Sequence, residues 1–240
     1  MAESWTFDPQ TREYRSADGQ RLTLVQLIAI RDGLANGFEE VAALIVRQYL
    51  IGQITADQFY AQFSAFLWDA FLAQFLLGRG GTNMVAEVDL LVVDHLVFEQ
   101  RFYLSRFTRE LTTGLISQPM AEARGKLYAG ASVQAFDAGR ELLYPGLRLP
   151  YYPAQNTICG SRCRCWWSVE EYPDRYEAYW HTEEDKSVCD TCLHREVESA
   201  PYVQQKPTIT EGPLPSRYNQ DANTIYRPAW GSHENRRAGG

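Results

Sequence analysis

"ITADQFYAQFSAFLWDAFLAQFLLGRGG", residues 54–81, decides the fold class. Wound as a helix, it sets Phe59, Tyr60, Phe63, Phe66, Leu67, Trp68, Phe71, Phe75, Leu76 and Leu77 nearly all the way round its circumference. A helix on the surface of a globular protein buries only one stripe, so this one is expected at the centre of a bundle, the other option being an assembly interface. Thr55 and Gln58 have the spacing of a capping box, in which hydroxyl and amide each satisfy an orphan backbone N–H, and "GRGG" stops the helix near Leu77.

Three further helices flank it. The first is predicted from Leu22 to Leu50, with Gly33 and Gly37 as weak points where it could kink or split. The third runs from about Val85 to Thr113 and ends at Gly114. The fourth opens after Ser117, a suitable N-cap, with Pro119 in the first turn, and continues to about Tyr144 before "PG". Short connections between long helices favour an antiparallel bundle.

Beyond Pro145 the helical period disappears, proline and tyrosine rise in "YPGLRLPYYPAQ", and a boundary is placed near Pro150. All five cysteines follow, as Cys159-x3-Cys163-x-Cys165 and Cys189-x2-Cys192. Two knuckles separated by a short insert are the layout of a structural zinc site, each supplying two soft ligands to a tetrahedron. Cys159, Cys163, Cys189 and Cys192 are the expected ligands, with Cys165 as the substitute. Cys163 and Cys165 face the same side of an extended strand, which leaves open which of them completes the tetrahedron. The competing chemistries are a paired-disulfide staple, which needs an oxidising compartment, and a nucleophilic thiol. For the latter His181 and His194 are the nearest bases, and Arg162 and Arg164 the charges that would lower a thiol pKa. His194 is also an alternate ligand, and His95, inside an apolar helix, reads as a core histidine. Trp166 and Trp167 are expected to cover the knuckle and dock it on the bundle. No catalytic signature is present.

Charge narrows the partners. The chain is net −7, and residues 159–200 carry ten acidic and five basic side chains, net −5. A protein that grips phosphate backbones needs clustered Lys and Arg, so this balance argues against a nucleic-acid partner. The polar start "MAESWTFDPQTREYRSADGQ" has no apolar signal region, so synthesis is expected in a reducing cytosol, where clustered cysteines more often bind metal than form disulfides. The long apolar runs are broken by Asp69, Gln74 and Asp94, so no membrane span is expected. From Pro201 onward the chain reads as an extended arm with Tyr202, Tyr218, Tyr226 and Trp230 as anchors for docking on a partner.

"LPYYPAQNTICGSRCRCWW", residues 149–167, resembles a motif of minor head (head morphogenesis) proteins of tailed bacteriophages, the Mu F-like group. There a P-x-Y-P turn and a polar loop lead into a C-x3-C-x-C knuckle with an aromatic tail. "SVCDTCLHREVESAPY", residues 187–202, is similar to that family's second half, although its Ser and Pro are separated by one residue where adjacency is the pattern. "MAEARGKLYAGASVQAFDAGRE", residues 120–141, resembles the helix before the knuckle, with Arg124, Tyr128 and Arg140 in matching places, and "FDPQTREYRSADGQ" resembles a common opening of such chains. The resemblance covers residues 115–202 and implies a virion or prohead component, assembled in the host cytoplasm beside portal or major capsid subunits. Self-association is compatible with that role, and no catalysis or catalytic residue is implied.

The expected protein is therefore mainly α. Residues 1–21 form an extended segment, 22–150 an antiparallel helical bundle, 151–200 a zinc-stapled module with short β strands, and 201–240 an extended arm. Its expected function is a non-enzymatic part of a phage head, with structural Zn²⁺ as its cofactor. The alternative is a zinc protein contacting packaged DNA, motivated by Arg162/Arg164 and Arg236/Arg237.

Overall fold

The structure is a computed structural model and describes residues 5–153, 163–182, 189–198 and 201–206. Helix α1, Leu24–Leu50, is unbroken. Gly33 and Gly37 are exposed and no neighbour crowds them, so they neither kink nor split it. Its start is fixed by a second capping box: the Thr23 hydroxyl accepts from the Gln26 N–H at 3.2 Å, and the Gln26 carboxamide oxygen accepts from the Thr23 N–H at 2.8 Å. Helix α2, Ala56–Arg79, begins at the expected Thr55–Gln58 box and ends on Gly80, whose φ of 98° is the left-handed cap conformation that favours glycine.

Helix α3, Leu90–Thr112, starts later than its apolar pattern suggests, because Thr82–Met84 and Glu87–Asp89 form two 3₁₀ turns. The Asp89 carboxylate fixes the second turn by accepting from the Ala86 N–H at 3.0 Å and pairing with Arg79 at 3.4 Å. The fourth predicted helix is two, α4 at Gln118–Gly130 and α5 at Val133–Glu141. A single straight helix could not serve both halves, since α4 packs along α1 while α5 packs along α2.

Helix α2 borders α1, α3 and α5, and its Phe59, Phe63, Leu67, Phe71, Phe75 and Leu77 are buried. The all-round apolar helix is thus central, as read from the sequence. Its crossing with α5 is a reciprocal glycine contact. A Cβ on Gly78 would lie 1.9 Å from the Phe136 carbonyl oxygen, and one on Gly139 would lie 2.4 Å from that of Phe75. Backbones approach this closely only where neither side carries a side chain.

The N-terminal segment, expected to be merely extended, is a β-hairpin of β1 (Trp5–Asp8) and β2 (Glu13–Ser16) in register Trp5↔Ser16. Trp5 and Tyr14 are buried with Leu27, Ile28, Leu77 and Phe136, and the Tyr14 hydroxyl lies 2.9 and 2.8 Å from the Leu77 and Gly78 carbonyl oxygens. A second antiparallel sheet, in order β3-β4-β5, follows the bundle: β3 Trp166–Glu171, β4 Arg175–His181 and β5 Tyr202–Gln205. Helix α6, Asp190–Glu198, packs on β4. The start of the expected arm is therefore the third strand of this sheet, with Gln204 accepting from the Arg148 N–H at 2.7 Å and donating to the Gly146 carbonyl at 2.6 Å. The arm's later anchors, Tyr218, Tyr226 and Trp230, lie outside the described residues. No helix among the described residues is long and apolar enough to cross a membrane.

The glycine crossing sets a test. Gly139→Ala is expected to cost about 2–3 kcal/mol in urea denaturation, because the methyl group must push two backbones apart. Gly33→Ala, in the open part of α1, is expected to gain about 0.5–1 kcal/mol. Equal midpoints for wild type and Gly139→Ala would contradict the close crossing.

Candidate metal centre

Cys163, Cys165 and Cys192 are buried, and their sulfurs lie within 4.8 Å of one another. The Cys163 and Cys192 Sγ atoms are 3.8 Å apart, and Cys189 Sγ stands 3.5 Å from Cys192 Sγ. Both separations far exceed the roughly 2.05 Å of a disulfide bond. A four-thiolate tetrahedron with metal–sulfur bonds of about 2.3 Å has edges of about 3.8 Å. The Cys163–Cys192 separation equals that edge, and the trio of Cys163, Cys165 and Cys192 could hold a metal ion.

Two parts of the chain build it. Residues 163–165 stand just before β3, with Cys163 and Cys165 buried on either side of the part-exposed Arg164. Cys189 immediately precedes α6 and Cys192 lies in its first turn, where the Cys192 N–H donates to the Cys189 carbonyl at 2.9 Å. Helix α6 is held to β4 through Glu196, whose carboxylate accepts from the Thr182 N–H at 3.2 Å and hydroxyl at 2.5 Å.

The knuckle is tied to the bundle by three arginines. Arg31 of α1 is wholly buried; its guanidinium donates to the carbonyls of Cys165 at 2.9 Å and Arg164 at 2.6 Å and to the Asp32 carboxylate at 2.8 Å. Gln74 of α2 donates to the carbonyl of Arg31 at 2.9 Å and so fixes the backbone that carries it. Arg164 reaches back to Glu39 of α1 at 2.7 Å. Arg140 of α5 donates to the Trp167 carbonyl, and its guanidinium and that of Arg31 both lie within 6 Å of the Phe136 ring centroid. Asp137, fully buried and 3.6 Å from Arg140, has its carboxyl pushed up to about 6 by burial, against the pull of Arg140 and Arg31.

The two tryptophans alternate across β3. Trp167 faces into the module, where its indole N–H donates to the Tyr151 carbonyl at 2.9 Å and its ring meets Tyr151 and Trp180 at 5.3 and 5.2 Å. The Arg195 guanidinium of α6 covers Tyr151 at 3.6 Å. Trp166 faces the other way, packs on the hairpin core and stacks on His181 at 5.6 Å. The pair thus packs the module and docks it on the bundle, as the sequence suggests.

The structure places the predicted site residues unequally. Cys163, Cys165 and Cys192 come together with Cys189 beside them, so Cys165 belongs to the cluster alongside Cys163, with no choice between them. Cys159 and Arg162 lie outside the described residues. His181 is occupied in the sheet, its Nε2 2.7 Å from the Ser168 hydroxyl, and burial holds its pKa below the usual histidine value. His194 is exposed on α6. His95 is no core histidine: its side chain is half exposed and lies 3.8 Å from Glu99 one turn along α3, because the apolar pattern around it has two faces. Arg236 and Arg237 are outside the described residues. Arg124 and Tyr128, matched through the resemblance, belong to the bundle: Arg124 pairs with Glu110 and lies over Phe107, and Tyr128 is buried against Phe63 and Phe107. The sequence reading overlooked Arg31, Glu39 and Asp137. The available signal was Arg31 itself, a cation in register with Leu27, Ile28 and Ala35 on the buried stripe of α1.

Removing one partner from a buried, hydrogen-bonded charge leaves the others unsatisfied. Arg31→Met is therefore expected to cost about 3–5 kcal/mol in chemical denaturation. Arg15→Met, on the exposed hairpin edge, is expected to leave the midpoint unchanged. An Arg31→Met protein with wild-type stability would show that the knuckle does not depend on this anchor.

Comparison of the chain with protein-family models, with curated proteins and with solved structures returned no match.

Proposed function

We propose that this chain is a non-enzymatic structural component of a tailed-phage head, a minor head protein whose C-terminal module is held by a structural zinc ion. The thiol cluster carries the reading. Three buried cysteines converge at spacings that suit a zinc–thiolate tetrahedron, and Cys189 stands beside them as a fourth sulfur. A structural zinc site is closed by protein ligands, whereas a catalytic one keeps a position open for water or substrate. Bound there, zinc would supply fold stability to a module whose own core is a few aromatic rings. The chain's residues do the rest: Cys163, Cys165, Cys189 and Cys192 offer the sulfurs, and Arg31 and Arg140 hold the surrounding backbone.

The setting in a phage head is supported by the resemblance of residues 115–202, with its two cysteine motifs, to the minor head proteins. In that setting the chain assembles with portal or major capsid subunits in the prohead, and the acidic module is unsuited to a DNA backbone.

Two measurements test this. Elemental mass spectrometry of the purified chain is expected to give one zinc per molecule, falling below half in Cys192→Ser, with the cysteines resisting alkylation until a chelator is added. Absence of zinc together with fast alkylation in the untreated protein would overturn the metal reading. Proteomic detection in purified virions or proheads of the encoding phage is the second measurement, and absence from both would overturn the phage reading.

A further inference from the structure

The described thiols differ in what can reach them and in how freely they can move. Cys163, Cys165 and Cys192 are buried, whereas Cys189 is part-exposed. Cys189 Sγ stands 3.5 Å from Cys192 Sγ, closer than the 3.8 Å between Cys163 and Cys192. The closer pair shares one turn of chain, closed by the Cys192 N–H on the Cys189 carbonyl at 2.9 Å. Helix geometry sets Cα atoms three residues apart at about 5 Å, inside the range of roughly 4.4–6.8 Å that a disulfide spans. Rotation of the two side chains is therefore enough to bring these sulfurs to bonding distance. The Cys163–Cys192 pair has no such freedom. Arg31 clamps the carbonyls of Arg164 and Cys165, and Glu196 clamps α6 to Thr182. Closing that pair would move two anchored segments toward each other.

We propose, on the reading that the cluster holds zinc, that Cys189 and Cys192 form an oxidation-sensitive pair through which a hydroperoxide releases the metal. The part-exposed Cys189 thiolate attacks a peroxide oxygen, the O–O bond breaks, hydroxide leaves, and Cys189 becomes a sulfenic acid. The Cys192 thiolate then attacks the Cys189 sulfur, the S–O bond breaks, and a second hydroxide leaves a disulfide behind. The two sulfurs lose two electrons and one peroxide gains them. Thiolate is the form of cysteine that binds metal, so the disulfide removes two of the four ligands at once. Cys163 and Cys165 alone do not complete a tetrahedron, and the ion leaves. The bundle is untouched, because Arg31 and Arg140 hold the knuckle through the carbonyls of residues 164, 165 and 167 and not through sulfur. Hydrogen peroxide is smaller than an alkylating reagent, so it reaches a sulfur that the closed site shields from alkylation.

The test measures zinc in the purified full chain first, then adds hydrogen peroxide while a chromogenic chelator in solution reports released metal. Release of the bound zinc is expected, together with a tryptic peptide carrying Cys189 and Cys192 that is lighter by the two lost hydrogens. Dithiothreitol with added zinc is expected to restore the loaded protein. Cys189→His keeps a zinc ligand at that position and removes the sulfur that is oxidised first, and its zinc is expected to leave about tenfold more slowly. A chain without zinc before peroxide is added overturns the metal reading and this proposal with it. A loaded chain that keeps its zinc under peroxide overturns this proposal alone, as does release accompanied by a disulfide between any other two cysteines. A zinc-loaded Cys189→His chain that releases metal at the wild-type rate overturns the assignment of Cys189 as the sulfur attacked first.

Discussion

A buried guanidinium joins the two halves of this protein. Arg31 sits in the apolar stripe of α1 with no exposed surface, a position that would be costly for an uncompensated cation. The cost is offset because the side chain finds the Asp32 carboxylate and the carbonyls of Arg164 and Cys165. Those two carbonyls belong to a stretch that leaves the bundle and has no ladder of its own, so they need a donor from elsewhere. The bundle supplies it. A charge that one helix could not bury alone, and carbonyls that one loop could not satisfy alone, are stable only together.

The position of the second anchor depends on the crossing of α2 and α5. Gly78 and Gly139 bring the two backbones into contact, and Arg140, the next residue, is carried by that contact to the Trp167 carbonyl. Between them Arg31 and Arg140 fix the backbone on both sides of the start of β3, with Cys163 and Cys165 just before it. The thiols therefore meet in a place prepared by helices distant in sequence. This accounts for how so small a sheet, with an aromatic cluster of Tyr151, Trp167 and Trp180 as its interior, has three cysteine sulfurs gathered beside it within 4.8 Å of one another.

The helical part of the fold was legible because its signals are local. The all-round apolar pattern of residues 59–77, the Thr55–Gln58 capping box and the glycine-rich stop act within one helix, and α2 is where and what they predict. The same logic would have found Thr23–Gln26, which has the same chemistry. Where the reading departed, two partners competed for one segment. Residues 118–141 look like one helix, yet α4 follows α1 and α5 follows α2, so the chain turns at 131–132. His95 looked buried because α3 has apolar residues on two faces, and period alone does not say which face meets the bundle.

The cysteine spacing by itself determined that thiols would be brought together, because C-x-C in extended backbone and C-x2-C in a helical turn each aim two sulfurs one way. Composition determined as well that the surrounding segment is acidic, and the apolar pattern of residues 59–77 that the helices form a bundle. Only the tertiary structure decided which sulfurs lie together, that Arg31 from over a hundred residues away holds their backbone, and that residues 202–205 close the sheet as β5. The reason is physical: helix and turn preferences are written in neighbouring residues, whereas a buried cation is tolerable only where distant carbonyls happen to need it.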